Sequence, residues 1–201
     1  MSLLLKTVNW LQNKGFEYVI FGSACFSLLV RPVATKDIDI LIRPFPSVND
    51  ASRITMELRN FLNGIRAFPL FDAVEGDRII VEVETPRGLV GVELWSYILR
   101  EKETVIFIDK SIEVEYCGKK LRVLPPEIFL ATKLCEITPE PADKEKIDEL
   151  LEANKEKLSI ESIIWAMRVL KCSGLAESNI DIWYGKNRPK LLQKVLEKLT
   201  Q

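Results

Sequence analysis

The chain has 201 residues, 28 Lys+Arg against 29 Asp+Glu, no His, and a formal net charge of -1. That length is enough for one compact domain, or a domain with a helical extension, and for a real buried core. The absence of histidine excludes Ser-His-Asp triads, His-ligated zinc and imidazole bases. Near-neutrality argues against a protein that coats nucleic acid and leaves room for a local basic patch.

Leu4, Leu5, Val8 and Leu11 recur at helical spacing and predict an amphipathic first helix closed by Gly15. Phe16 to Phe21 reads as a buried strand that runs into Gly22-Ser23, after which ACFSLLV reads as a helix. Asp37 to Ile42 is a second strand, stopped by Pro44 and Pro46. Ser47 or Asn49 would cap the next helix, with Ile54, Leu58 and Phe61 on its apolar face. Arg78 to Glu84 and Leu89 to Trp95 form a hairpin around Thr85-Pro86-Arg87-Gly88, and IEVEYC and KLRVL form a second one around Gly118-Lys119. Pro125-Pro126-Glu127 then opens a helix. The pattern stays helical to the end, broken at Pro139 and Pro141 and again at Ser173-Gly174. The expected class is α+β: a mixed sheet with flanking helices over residues 1–125, then a helical region over 126–201.

The four cysteines, Cys25, Cys117, Cys135 and Cys172, include no C-x-x-C pair, and no secretory signal precedes them. No disulfide framework or structural zinc is expected, Cys25 and Cys135 read as small core residues, and the expected home is the reducing cytoplasm. No apolar run approaches the roughly 20 residues of a membrane span.

The chemistry concentrates between Gly22 and Asp39. Two aspartates two apart on a strand, Asp37 and Asp39, point to one face while Ile38 and Ile40 point to the other. Adjacent carboxylates repel unless a cation is shared, and hard Mg²⁺ prefers such oxygen ligands. Gly22-Ser23, at a strand-to-helix turn, offers a backbone a phosphate can approach and the positive end of a helix dipole. Glu93 lies between Val92 and Leu94 in a strand, where an acid needs a partner or a task. It would complete a site for one or two metal ions and help deprotonate an acceptor hydroxyl.

Gly22-Ser23, thirteen residues, then Asp37-Ile38-Asp39, with Glu93 on a later strand, resembles the polymerase β-like nucleotidyltransferase superfamily. The segments VLPPEIFLATKL and DKEKIDELL resemble the minimal, AbiEii-type members associated with toxin–antitoxin systems. The resemblance spans roughly residues 15–152. It implies a nucleotidyltransferase-like mixed sheet, with Asp37, Asp39 and Glu93 as catalytic metal ligands and Gly22 and Ser23 holding β/γ-phosphates. It also implies a phosphate contact from Lys133 and an acidic helix carrying Asp143 and Asp148. The implied reaction is transfer of a nucleoside monophosphate from an NTP to a hydroxyl of RNA (tRNA included), protein or a small molecule. Two departures stand out: the family usually has Asp where Glu93 stands, and often an acid where Lys146 stands.

Other readings of the same residues remain open. Asp37 and Asp39 could pair with Arg31 or Lys36, Ser23 could cap a helix, and Glu93 could pair with Arg78 or Arg87. Glu82 or Glu84 could be the third acid, or both could face solvent. Lys133 could be a solvent-facing lysine, and Asp143 and Asp148 a charged helix face. Trp165, Trp183 and Tyr184 fit helix packing or base stacking. Lys186, Arg188, Lys190, Lys194 and Lys198 fit either a nucleic-acid contact or the wet side of a helix that buries Leu191, Leu192, Val195 and Leu199. The alternative to the enzyme is a catalytically inactive module of the same fold that binds nucleotide or a partner protein, and an oligomer is compatible with either.

Overall fold

The computed structural model describes residues 2–72, 76–138, 140–154 and 157–199. The chain divides into two compact units, Met1–Leu124 and Pro125–Gln201.

The first unit is built on a seven-stranded mixed sheet. In chain order its elements are α1 (Leu3–Asn13), β1 (Glu17–Ile20), α2 (Gly22–Leu29), β2 (Asp37–Arg43), α3 (Val48–Leu62), β3 (Arg66–Leu70), β4 (Arg78–Thr85), β5 (Gly88–Trp95), a 3₁₀ turn (Lys102–Ile108), β6 (Ile112–Tyr116) and β7 (Lys119–Val123). The sheet order is β3-β4-β5-β2-β1-β7-β6. The pairs β2–β5 and β1–β7 are parallel, and the remaining pairs are antiparallel. Alternation decides which side is wet. Ile38, Ile40, Ile79, Val81, Val83, Val92 and Leu94 are buried, whereas Asp37, Asp39, Ile80, Glu82, Glu84 and Glu93 between them keep some exposure.

Ser47 caps α3, its hydroxyl accepting from the Asp50 N–H. Ile54 and Leu58 are buried as expected, but Phe61 is 45% exposed and Leu62 takes the inner position. The sequence reading missed β3 and the 3₁₀ turn. β3 is an edge strand interrupted by Pro69, a residue that weakens a strand signal and is tolerated only where no partner needs its N–H. At the far end of β2, Arg43 donates to both oxygens of Asp109 and to Glu17.

The second unit is helical: α4 (Pro126–Leu134), α5 (Pro141–Ala153), α6 (Ile160–Val169), α7 (Ser173–Tyr184) and α8 (Lys190–Leu199). α4 buries Ile128, Phe129, Leu130, Ala131 and Leu134, apolar on nearly all sides, and packs against α5, α6 and α7. Its last carbonyls need donor partners. The buried Asn179 amide supplies them by donating to Leu134 O and Glu136 O. The expected break at Pro141 is the start of α5, while Pro139 lies outside the described residues. The helical pattern is also interrupted before Ser159, which caps α6, and at Gly185, two breaks that periodicity alone did not reveal.

One expectation is overturned in this unit. Cys135 and Cys172 form a disulfide, with Cα atoms 5.6 Å apart, that joins the end of α4 to the start of α7. Sequence spacing hid it because helix packing, and not proximity in the chain, brings the two residues together. Cys25 is a fully buried free thiol, pushed well above its usual range by burial, and Cys117 is exposed. Among the described residues no helix is long and apolar enough to cross a membrane.

Candidate active site

The site is assembled where β1 ends and α2 begins, against the neighbouring strands β2 and β5. The Phe21 N–H donates to the Asp39 carbonyl at 3.0 Å, which holds the β1–α2 turn directly beside β2. Gly22, the first residue of α2, has φ of +61°. A Cβ on Gly22 would lie 2.2 Å from Asp39 Oδ2, so only glycine lets the helix start close over that carboxylate. Phe21, not Ser23, occupies the N-cap, and Ser23 sits inside the first turn.

The strand register fixes the rest. Asp39 lies directly opposite Glu93 across the parallel β2–β5 pair, and Asp37 opposite Gly91. Paired residues share a face, so the three acids named from the sequence lie on one side of the sheet. Gly91 has a specific consequence: a Cβ there would meet Asp37 Oδ1 at 2.6 Å and Glu93 Oε1 at 3.9 Å, so both carboxylates lean over the same glycine. The sequence reading missed Gly91, although a lone glycine inside LVGVELW signals close approach.

Glu93 also has a basic neighbour. Its Oε2 is 3.7 Å from Arg78 Nη1, and the Arg78 guanidinium lies 4.6 Å from the centroid of the Trp95 ring. Phe21 meets that ring edge-on. Among the described residues no three His, Cys, Asp or Glu side chains stand close enough together to enclose a metal ion. The donor chemistry of Asp37 and Asp39, all oxygen and anionic, fits a hard divalent cation, and the glycine cradle leaves their oxygens room. Of the other acids on this face, Glu82 pairs with Arg66 and Glu84 is exposed.

A cavity of about 530 Å³ opens beside Asp37, on the side of the sheet occupied by β4 and β5. Its lining includes Lys36, Asp37, Glu82, Arg87, Gly91 and Glu93.

In the second unit, Lys133 is not a solvent-facing lysine. Its ammonium is bonded to Glu136 at 2.9 Å and to Asp143 at 3.0 Å, and its side chain is 12% exposed. Burial pulls its pKa down, but Glu136 and Asp143 outweigh that and hold it above the ordinary value. Asp143 is buried and closes a capping box with Glu140 at the start of α5. Lys146 lies 3.8 Å from the same Asp143 oxygen, and its pKa is lowered by burial and then by Lys133. Asp148 accepts from Lys144 and from the Tyr184 hydroxyl, tying α5 to α7. Two residues of the basic carboxyl-terminal set are paired, Arg188 with Asp181 and Lys198 with Glu161.

No family model and no curated protein matches the chain. Solved structures do. An antigenic nucleotidyltransferase-like protein from Paracoccidioides brasiliensis aligns over 88% of this chain and 91% of its own, at 17% identity and a TM-score of 0.51. The fold is nucleotidyltransferase-like. JHP933 from Helicobacter pylori aligns over 98% and 92% at 16% identity and a TM-score of 0.54. The antibiotic-resistance factor ANT(2'')-Ia aligns over 88% and 93% at 14% identity and a TM-score of 0.54. At these identities the likeness establishes the nucleotidyltransferase-like fold and leaves substrate to the site itself.

Proposed function

We propose that the chain is a Mg²⁺-dependent nucleotidyltransferase that moves a nucleoside monophosphate from an NTP to a hydroxyl acceptor. The observation that carries the reading is the seating of Asp39 under Gly22, with Asp37 and Glu93 on the same face of the sheet. The N–H groups at the start of α2, with the Ser23 hydroxyl, meet the β/γ-phosphates. Asp37 and Asp39 would hold Mg²⁺, which when bound would offset the charge of the triphosphate and of the departing pyrophosphate. Glu93 takes the proton of the incoming hydroxyl. That oxygen forms its bond to the α-phosphorus as the bond from the α-phosphorus to the bridging oxygen breaks. Positioning and electrostatics supply most of the rate.

The segments around Lys133 and Asp143 support an AbiEii-type, toxin–antitoxin assignment, with an RNA, tRNA, protein or small-molecule acceptor. The direct test is transfer of α-labelled NTP with Mg²⁺ by the wild type and by Asp39→Ala. The variant is expected to lose about 100- to 1000-fold in kcat, the scale of deleting a key electrostatic group. Equal incorporation in both would remove the enzyme reading.

The Glu93–Arg78 ion pair favours one second reading, a nucleotide-binding module of the same fold that does not catalyse. Calorimetry showing Mg²⁺-dependent NTP affinity without label transfer would select it.

A further inference from the structure

The cavity beside Asp37 has a charge imbalance that indicates what it takes. Three carboxylates and two cations line it: Asp37, Glu82 and Glu93 against Lys36 and Arg87. Two of the carboxylates are already engaged, Glu82 by Arg66 and Glu93 by Arg78. Both cations are exposed, and among the described residues neither holds an ion pair. The uncommitted charge at the rim is therefore positive, although the strand face below it is rich in acids. Strand geometry places that charge usefully. Lys36 immediately precedes β2, and its carbonyl accepts from the Gly91 N–H at 2.8 Å. Arg87 sits in the β4–β5 turn. Gly91, lacking a side chain, leaves open floor between Asp37 on one neighbouring strand and Glu82 on the other. Ile80 and Leu89 complete the lining and provide an apolar surface.

The cavity also lies on a defined side of the acids. Gly22 and the start of α2 approach Asp39 from β1, whereas the cavity lies over β5 and β4, across β2 from that helix. One side is thus left for the triphosphate and the other for the acceptor. Its volume falls within the range of about 300–1,000 Å³ that suits a small ligand or the end of a longer one.

We infer that this cavity is the acceptor subsite, and that Lys36 and Arg87 select an acceptor whose hydroxyl belongs to a nucleoside carrying a phosphodiester. This inference rests on the nucleotidyltransferase reading. The phosphate contacts Lys36 and Arg87, the nucleoside covers Ile80 and Leu89, and the hydroxyl turns toward Asp37 and Glu93. In the transfer its oxygen becomes bonded to the α-phosphorus, its proton goes to the Glu93 carboxylate, and pyrophosphate leaves. Charge-assisted contacts to phosphate fix register without reading sequence, so two exposed cations suit this role.

The experiment is calorimetric titration of the full chain with adenosine, with the dinucleoside monophosphate ApA, and with a short single-stranded RNA, each alongside Mg²⁺-ATP. The wild type is expected to bind ApA about tenfold more tightly than adenosine, the scale of two exposed phosphate contacts. The double variant Lys36→Gln/Arg87→Gln should bring ApA to the adenosine level and lower the salt slope for RNA by about 1.4. The charge-preserving pair Lys36→Arg/Arg87→Lys should retain the preference, which separates a charge effect from misfolding. RNA binding much tighter than ApA identifies the acceptor as an RNA end, whereas equal affinity identifies a short phosphorylated nucleoside, and either supports the inference. Equal affinity for adenosine and ApA, absence of binding by both ApA and RNA, or an unchanged profile in the Gln variant overturns it. Loss of Mg²⁺-ATP binding alone, with the ApA preference intact, overturns the reaction instead of the subsite.

Discussion

Two glycines make the carboxylate face possible, and they do so differently. Gly22 needs both a positive φ and the absence of a Cβ. Gly22→Ala is expected to cost about 1–3 kcal/mol from backbone strain and to displace the Asp39 carboxylate, so Mg²⁺-ATP affinity should fall along with stability. Gly15→Ala is the control: it has a φ of +77° and nothing near its Cβ position, and it should cost stability without touching nucleotide binding. Chemical denaturation and calorimetry on the two variants check this. Gly91 has no positive φ, and the Cβ of Gly91→Ala would press on the end of the Asp37 side chain, which can turn away, and touch Glu93 Oε1 at ordinary contact distance. That variant should keep its melting temperature and lose turnover.

Arg43 permits a pH prediction at the same scale. Hydrogen bonding to Arg43 holds the Glu17 and Asp109 carboxyls below their usual range, and both are solvent-exposed. A carboxylate whose folded pKa is depressed contributes stability above its unfolded pKa and loses it as the pH falls through the folded value. The melting-temperature difference between the wild type and Arg43→Met should therefore be constant near neutrality and shrink below about pH 4. A difference that persists undiminished in acid would mean Arg43 acts through packing.

Elements in the second unit are joined by polar and covalent links as well as by packing. Lys133 and Asp143 connect α4 to α5, Asp148 and Tyr184 connect α5 to α7, and Cys135–Cys172 connects α4 to α7. With a sequence separation of 37, loop-closure entropy assigns that disulfide about 4 kcal/mol. Measured values commonly come in lower, so reduction, or Cys172→Ser, is expected to destabilise by about 2–4 kcal/mol. Denaturation with and without dithiothreitol measures it, with Cys172→Ser insensitive to the reductant. In α4, Phe129→Ala should cost about 3–5 kcal/mol, since Phe129 is fully buried.

For the whole molecule, ligand binding should appear as stability. A protein that binds Mg²⁺-ATP only when folded gains about 2.7 kcal/mol at a hundredfold excess over Kd. The melting temperature should rise with Mg²⁺-ATP, stay flat with ATP in EDTA, and stay flat in Asp37→Asn/Asp39→Asn. A rise that survives EDTA would remove the metal from the binding site.

Much of this was legible in the sequence because alternation and adjacency are local properties. Strand period alone put Asp37 and Asp39 on one face and Ile38 and Ile40 in the core, and Gly22 before an apolar helix marked the turn. The chain itself also determined the hairpins, the opening of α4 and the exclusion of histidine chemistry, and it narrowed the cap of α3 to Ser47 or Asn49, between which the structure chose Ser47. What it could not determine is which distant segments become neighbours. Register across β2 and β5 set Asp39 opposite Glu93 and Asp37 over Gly91, and strand pairing put Arg78 beside Glu93. Helix packing turned two scattered cysteines into a disulfide and sank Lys133 among carboxylates. These contacts depend on how elements pair and pack after they form, and the free energy that selects one pairing belongs to the assembled sheet and helices, not to any segment read by itself.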